Sequence, residues 1–380
     1  MPPTDSNRGV TAEDGYTIRP YEPSDLDGFL QLDSRVWDRM RGPKWFRWKY
    51  VDNPYTDHIP VFVAEYDDKI VGARPFLAMR LRIGDQSVVA YQPADTMVAP
   101  NHRRAGVFRR LTAFALSTYR DRDPTLFFNF PNQHARPGYL DLGWRAVAPE
   151  VTYYRVETPT AVRNNGGLST EALSAGRPVI RGYYAARKIL STPPDGFRVR
   201  RIDGAAIERL AMLHDRRSPP TIHADRTKTF LRWRLASPVW ERQTYLVDER
   251  TTDGPVAALV ARSRTNDDGL RLTQIVDIAP LCGRKKWREA LWRGLEAVIE
   301  THPMTDLFAV SNGVIPHEVL AAFGFLPDDS FPVSQLTTFD SMLVTRPNGD
   351  PTDETAWQIA GRAIDEPDNW CVTFAERDTS

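Results

Sequence analysis

Lysine is scarce, cysteine nearly missing, and net charge absent altogether. Two cysteines, Cys282 and Cys371, are all that 380 residues contain, and they form no CxxC pair. That count supplies neither a disulfide framework nor the ligands of a structural zinc site, and it reads as unpaired thiols in a reducing compartment. Basic and acidic residues balance at 49 each. No overall field therefore draws the chain to nucleic acid or anionic lipid, and any basic site must be local. Only 7 of the 49 basic residues are lysine, so 42 are arginine, planar forks rather than point charges. No window approaches eighteen consecutive apolar residues, so no membrane span is expected. The opening MPPTDSNRGVTAEDGYTIRP lacks the apolar core of a signal peptide. These absences predict a cytoplasmic, metal-free protein whose residues 1–15 are flexible.

Hydrophobic residues make up 41% and aromatic ones 11%, enough for substantial cores, and the length suggests two domains. The chain also repeats itself. WFRWKYVDNP, from Trp45, answers to FLRWRLASP, from Phe230. Val98-Ala99-Pro100 answers to Ile278-Ala279-Pro280, and each proline is followed eleven residues later by a leucine, Leu111 or Leu291. Asn132 and Asn312 each lie thirty-three residues after the matching alanine, and LDLGW (Gly143) answers to AAFGF (Gly324). Echoes in this order indicate a tandem duplication.

Each copy reads as a mixed α/β unit. In the first, alternation predicts strands at 61–66, 70–83 and 87–98, with a Gly84-Asp85 turn between the last two. Helical spacing of Val107, Leu111, Phe114 and Ala115 predicts a helix over 106–121. A strand at 125–131, a short helix near 134–142 and closing strands to about 157 follow. The expected division is 16–158, a linker at 159–195 carrying a helix at 179–190, a second copy at 196–345, and a tail at 346–380 with one helix in TAWQIAGRAI. The repeated pairs Arg47-Trp48 and Arg232-Trp233 suit either substrate stacking or, since both copies keep them, a structural role.

The most informative stretch is PNHRRAGVFRRL, residues 100–111. Successive amides, a glycine and an immediate helix start are what an anion needs, and arginines add charge-assisted bonds. A basic helix cap in a tight turn is the plainer alternative.

In order and spacing, the strand, V-x-P, R-x-x-G, helix, second strand ending in Asn132, and Tyr139-Leu-Asp-Leu-Gly143-Trp144 resemble the GNAT (GCN5-related) N-acetyltransferase superfamily. Arg103 and Gly106 meet its pyrophosphate motif, with Phe108 where Gly or Ala is usual. The loop is similar to that of the enhanced-intracellular-survival acetyltransferases, which also have tandem GNAT-like domains. That family ends in a sterol-carrier-like domain, for which too few residues follow the second copy here.

The resemblance implies two tandem GNAT-like domains, each a mixed, mainly antiparallel sheet flanked by helices with a splayed central strand pair. It implies acetyl-CoA as acyl donor, no metal, and direct attack by a primary amine on the thioester. Met97 and Val98 would face the thioester. Arg103, Arg104, Ala105, Gly106, Val107 and Phe108 would hold the pyrophosphate, and Asn132 would complete the cofactor-binding set. Tyr139 would protonate the leaving thiolate, a phenol of pKa ~10 donating to a thiolate whose acid lies near ~8.5; a core tyrosine is the alternative. Asp95 is the expected base, with Glu65 as alternative; His102 and His134 flank the motifs. In the second copy Lys286 falls opposite Gly106 and Leu320 opposite Tyr139, so that copy is expected to be degenerate. The acceptor is a small-molecule or peptide amine, with no nucleic-acid or membrane partner and homo-oligomerisation left open. A non-catalytic acyl-CoA sensor and an aminoacyl-tRNA-dependent peptidyl transferase are the competing readings.

Overall fold

The computed structural model describes residues 9–11, 14–158, 182, 184, 187, 193–252, 254–330, 333–335 and 341–378; the linker and nearly all of the helix expected at 179–190 lie outside them. The first copy begins with β1 (Val10–Thr11) and β2 (Thr17–Pro20). Next come helix α1 (Leu26–Trp37) and helix α2 (Pro43–Phe46), the latter continuing as a π turn over Arg47–Val51. Strands β3 (Val61–Tyr66), β4 (Lys69–Ile83) and β5 (Gln86–Pro93) follow the alternation of the sequence. The strand expected over 87–98 is interrupted at Ala94–Thr96, where Asp95 takes a positive φ of 41°, and resumes as β6 (Met97–Val98).

Helix α3 (Val107–Tyr119) packs on β4, which it approaches closely at Gly72; a Cβ there would lie 2.9 Å from the Val107 side chain. β7 (Leu126–Asn129), α4 (Arg136–Leu140), β8 (Arg145–Pro149) and β9 (Thr152–Val156) close the copy. The second copy repeats the plan. It runs β10 (Phe197–Asp203), α5 (Ile207–Arg216), β11 (His223–Ala224), α6 (Lys228–Arg234), β12 (Glu241–Glu249), β13 (Pro255–Thr265), β14 (Arg271–Ala279), α7 (Lys285–Thr301), β15 (Leu307–Ser311), α8 (His317–Ala322), β16 (Leu326–Pro327) and β17 (Met342–Pro347).

The two sheets exchange their closing strands. The first has the order β1-β2-β3-β4-β5-β7-β17-β8, and the second β10-β12-β13-β14-β15-β9-β16. Strand β9, from the first copy, pairs with β15 and β16, while β17, from the second, lies between β7 and β8. The chain therefore does not separate at residue 158: the strand before that point completes the other sheet. A main core spans the first sheet and one face of the second, and a smaller core lies under α7 on the other face.

The repeated Arg-Trp pairs meet across the two copies. Trp48 Nε1 donates to the Trp233 carbonyl at 2.7 Å, and Trp233 Nε1 donates to the Trp48 carbonyl at 2.9 Å. The stacked indoles lie 6.3 Å apart. Each buried N–H thus finds its acceptor on the opposite copy, which gives these tryptophans a structural role.

The tail departs from expectation. TAWQIAGRAI forms a short 3-10 turn (Glu354–Trp357) and a hairpin of β18 (Gln358–Ile359) and β19 (Arg362–Ala363) instead of a helix. Ala360 and Gly361 adopt positive φ, 49° and 72°, which turns the chain back. Among the described residues no helix is long and apolar enough to cross a membrane.

Candidate active site

The anion loop is built from backbone. After β6, Pro100–His102 make a 3-10 turn; Arg104 and Gly106 then take positive φ of 65° and 73° before α3 begins. Residues 103–106 form a turn, but among the described residues the amides of Arg104, Ala105, Gly106, Val107, Phe108 and Arg109 make no close, well-aligned bond to a carbonyl; the first helical bond is Arg110 N–H to the Gly106 carbonyl at 3.0 Å. Alternating left-handed residues before a helix start make a concave row of donors with the positive end of the dipole behind it. A Cβ placed on Gly106 would meet nothing within 4 Å, so the outer face of the loop is open. Arg103 and Arg104 are exposed at its rim, and Val107 is buried and roots the helix.

Beside the loop the sheet opens. β5 and β7 run parallel, but only Ala90↔Leu126 and Tyr91↔Phe127 pair. Beyond them Met97 and Val98 turn to Ala73 and Gly72 of β4, while β7 carries on to Asn129 along β17. Tyr139, on α4, is buried beside this notch. Its hydroxyl accepts from Asn129 Nδ2 at 2.7 Å and from Arg74 Nη1 at 2.9 Å. Phe108 packs edge-on to its ring at 5.6 Å and also lies against Gly138, so the bulky residue of the loop wedges α3 against α4.

Arg74 escaped the sequence reading. It is fully buried within β4, bonds Thr96 Oγ1 at 2.8 Å, and leaves Nε and Nη2 without acceptors. No carboxylate among the described residues pairs with it. A buried guanidinium with idle donors is costly unless a ligand completes it. The available signal was an arginine at a core position of VGARPFLAM.

Asp95 is placed differently from its expected role. Its Oδ1 accepts from Arg39 Nη2 and Arg41 Nη1, each at 2.8 Å. Its Oδ2 accepts from Tyr50 Oη at 2.7 Å and from Lys49 Nζ. Burial opposes ionisation, but Lys49, then Arg41 and Arg39, outweigh it and hold the carboxyl well below the usual aspartate range. Four donors occupy the four lone-pair sites, leaving none to take a proton from an ammonium. The assignment of Asp95 as base is corrected accordingly: it anchors the strand break.

Of the other expected residues, Asn132 closes the turn ahead of α4, its Oδ1 accepting from His134 N at 3.1 Å and Ala135 N at 3.0 Å. Glu65 is held by Arg19 at 2.7 Å. His102 shares a hydrogen bond with Tyr16, and His134 is exposed.

The second copy lacks these features. Trp287 lies against Gly283 and donates its indole N–H to the Pro280 carbonyl at 3.0 Å. Lys286 pairs with Glu249, and Leu320 is buried where the first copy has Tyr139. The tail packs at the ends of β14 and β15: Ser311, closing β15, donates to the Val372 carbonyl at 3.3 Å, and Arg226 links Asp277 of β14 to Thr373 and Glu376.

Residues 17–147, about a third of the chain, match the model of the acetyltransferase (GNAT) domain. The fold is similar to that of the GCN5-related N-acetyltransferase from Anabaena variabilis (TM-score 0.54, 12% identity, 88% of this chain and 73% of that one). It also resembles the GCN5-related N-acetyltransferase from Kribbella flavida (TM-score 0.51, 15% identity, 94% and 75%). A conserved Enterococcus faecalis protein of unknown function is similar as well (TM-score 0.56, 10% identity, 87% and 72%). No curated protein matches the chain in sequence.

Proposed function

We propose, from the membership of residues 17–147 in the GNAT acetyltransferase superfamily, that the first copy is an acyl-CoA-dependent N-acyltransferase with acetyl-CoA as donor and a primary amine as acceptor. The observation that carries this reading is the conjunction of an open row of amides at Arg104–Arg109 with a buried Tyr139 hydroxyl at the neighbouring strand notch. The amides suit a pyrophosphate, and Arg103 and Arg104 stand where their forks could add charge-assisted bonds. The notch between β6 and β7 suits the pantetheine arm, with Met97 and Val98 beside the thioester.

The neutral amine nitrogen attacks the thioester carbon, the carbon–sulfur bond breaks, and the sulfur leaves with the bonding electron pair. Tyr139 passes its hydroxyl proton to that sulfur, and the proton released by the new amide returns to the phenolate through solvent. Asn129 and Arg74 aim the phenol and stabilise the oxygen as its charge develops, since both already donate to it. Asp95 has a positioning role, fixing the break that turns Thr96–Val98 away from β5. The second copy, with the tail packed at the ends of β14 and β15 and its loop filled by Trp287, serves as a scaffold.

Calorimetry with acetyl-CoA and a free-thiol assay over a panel of amines test the reading. The intact protein should bind acetyl-CoA. Tyr139→Phe should keep that affinity within about twofold while kcat falls by about 10²-fold or more. Absence of acetyl-CoA binding, or full turnover in Tyr139→Phe, overturns it.

A further inference from the structure

Where the two copies meet around the strand break, cations cluster. From the first copy, Arg39, Arg41 and Lys49 converge on Asp95, with Asp33 and Asp378 as the other carboxylates in the group. From the second copy, β13 sends Arg262 and Arg264 to the Trp240 ring, with guanidinium carbons 4.3 and 4.4 Å from its centroid. Arg234, buried on α6, spends its fork on the tail carbonyls of Ala375 and Arg377 and leaves Nη1 without an acceptor. With Arg377 and Glu376 of the tail, which act on Arg262 and Arg234, counted in, cations still outnumber carboxylates in this group.

Arg264 is the informative member. It is only half-buried, its side chain stacks on the indole, and no carboxylate or carbonyl among the described residues receives its donors. The charges that reach it are those of Arg41 and Arg39; after burial, these hold its guanidinium below the ordinary arginine range. An arginine stacked on an aromatic, facing other arginines and lacking a counter-ion, is a preorganised fork for an oxyanion. The same cations would repel a polyamine or an aminoglycoside.

Resting on the acyltransfer reading above, we infer that the acceptor is a primary amine that carries an oxyanion, a carboxylate or a phosphate. Arg264 on Trp240 receives that group while the amine reaches the thioester beside Thr96–Val98. The second copy then contributes to specificity although it has lost the features of an acyl-CoA site. Carboxylate and phosphate share this chemistry, and matched acceptors separate them.

The test uses the full chain, acetyl-CoA and free-thiol release with two pairs: lysine against cadaverine, and glucosamine 6-phosphate against glucosamine. The member bearing the oxyanion should show kcat/KM higher by about tenfold or more in at least one pair, and that pair identifies the anion. Arg264→Gln should erase most of the preference, chiefly through KM, with acetyl-CoA still bound by calorimetry; Arg264→Lys should restore part of it. Equal or better turnover of cadaverine and glucosamine overturns the inference while leaving the acyltransfer reading standing. So does a preference that survives in Arg264→Gln. Failure of the wild-type chain to bind acetyl-CoA overturns both.

Discussion

At the scale of single residues, this protein puts its costliest groups where neighbours decide their charge. His223 is an example outside the candidate site. It is buried, Ser218 meets its Nε2 at 3.0 Å, and its Nδ1 faces the Thr221 carbonyl at 2.6 Å, an arrangement that suits the neutral ring. Burial, then Arg226, push it down to about 4. The unfolded chain therefore takes up this proton first as pH falls. Stability from this group is whole above about pH 6.5, declines between about 6.5 and 4, and has lost about 3 kcal/mol at the lower end. His223→Gln, neutral throughout, should remove most of that slope while costing about 1–2 kcal/mol at pH 7. Urea midpoints at pH 7 and pH 4.5 measure both effects; an unaltered slope would reject the assignment.

At the scale of elements, the loop before α3 shows what a sequence displays and what it hides. Gly106 was legible because an R-x-x-G between strand and helix has few other uses. Its neighbour Arg104 was not, since a left-handed arginine is set by the turn as a whole and carries no residue-type signature. Strands β3 to β5 were legible from alternation. The break at Asp95 was not, because four donors, two from the segment between α1 and α2 and two from the π turn after α2, impose it from a distance in sequence. Arg74 escaped for the same reason: only the folded notch turns a strand arginine into a partner of Tyr139. In the tail, the apolar spacing of Trp357, Ala360 and Ile364 imitated a helix, and the left-handed pair Ala360-Gly361 prevents one. The loop also separates strain from binding. Gly106→Val should cost about 1–2 kcal/mol for its φ of 73° and cover the amides, weakening acetyl-CoA binding about tenfold or more. Gly204→Ala, at φ 94° and equally uncrowded, carries similar strain elsewhere. Calorimetry on the pair should show a stability loss in both and an affinity loss in the first alone; equal affinities would mean that the loop does not grip the coenzyme.

Over the whole molecule, the two copies are bound into one cooperative unit by three independent ties. The exchanged strands β9 and β17 are one, and no sequence pattern announces them, because a closing strand pairs equally well with its own sheet or with its twin's. The reciprocal Trp48–Trp233 bonds are a second. The third is the tail. Glu376 is buried, meets Arg226 at 2.7 Å and accepts from Ala224 N at 2.9 Å, while its carbonyl accepts from Gln92 of the first sheet at 3.1 Å. Arg377 reaches Glu150 at 3.3 Å, Asp378 pairs with Lys49, and the carbonyls of Ala375 and Arg377 accept from Arg234. Ending the chain at Asn369 would leave Arg226, Lys49 and Arg234 short of partners in a buried setting. Each broken buried pair costs about 3–5 kcal/mol, and together they rival the whole stability of about 5–15 kcal/mol expected of a folded domain. The truncated chain should show no cooperative melting. Glu376→Gln keeps the shape and removes one charge; because Arg226 retains Asp277 at 2.9 Å, this variant should still fold, about 3 kcal/mol weaker, in a single transition. Calorimetry decides between the outcomes: two separate transitions, or a truncated chain that melts like the full one, would show that the copies stand alone and that the tail is a passenger.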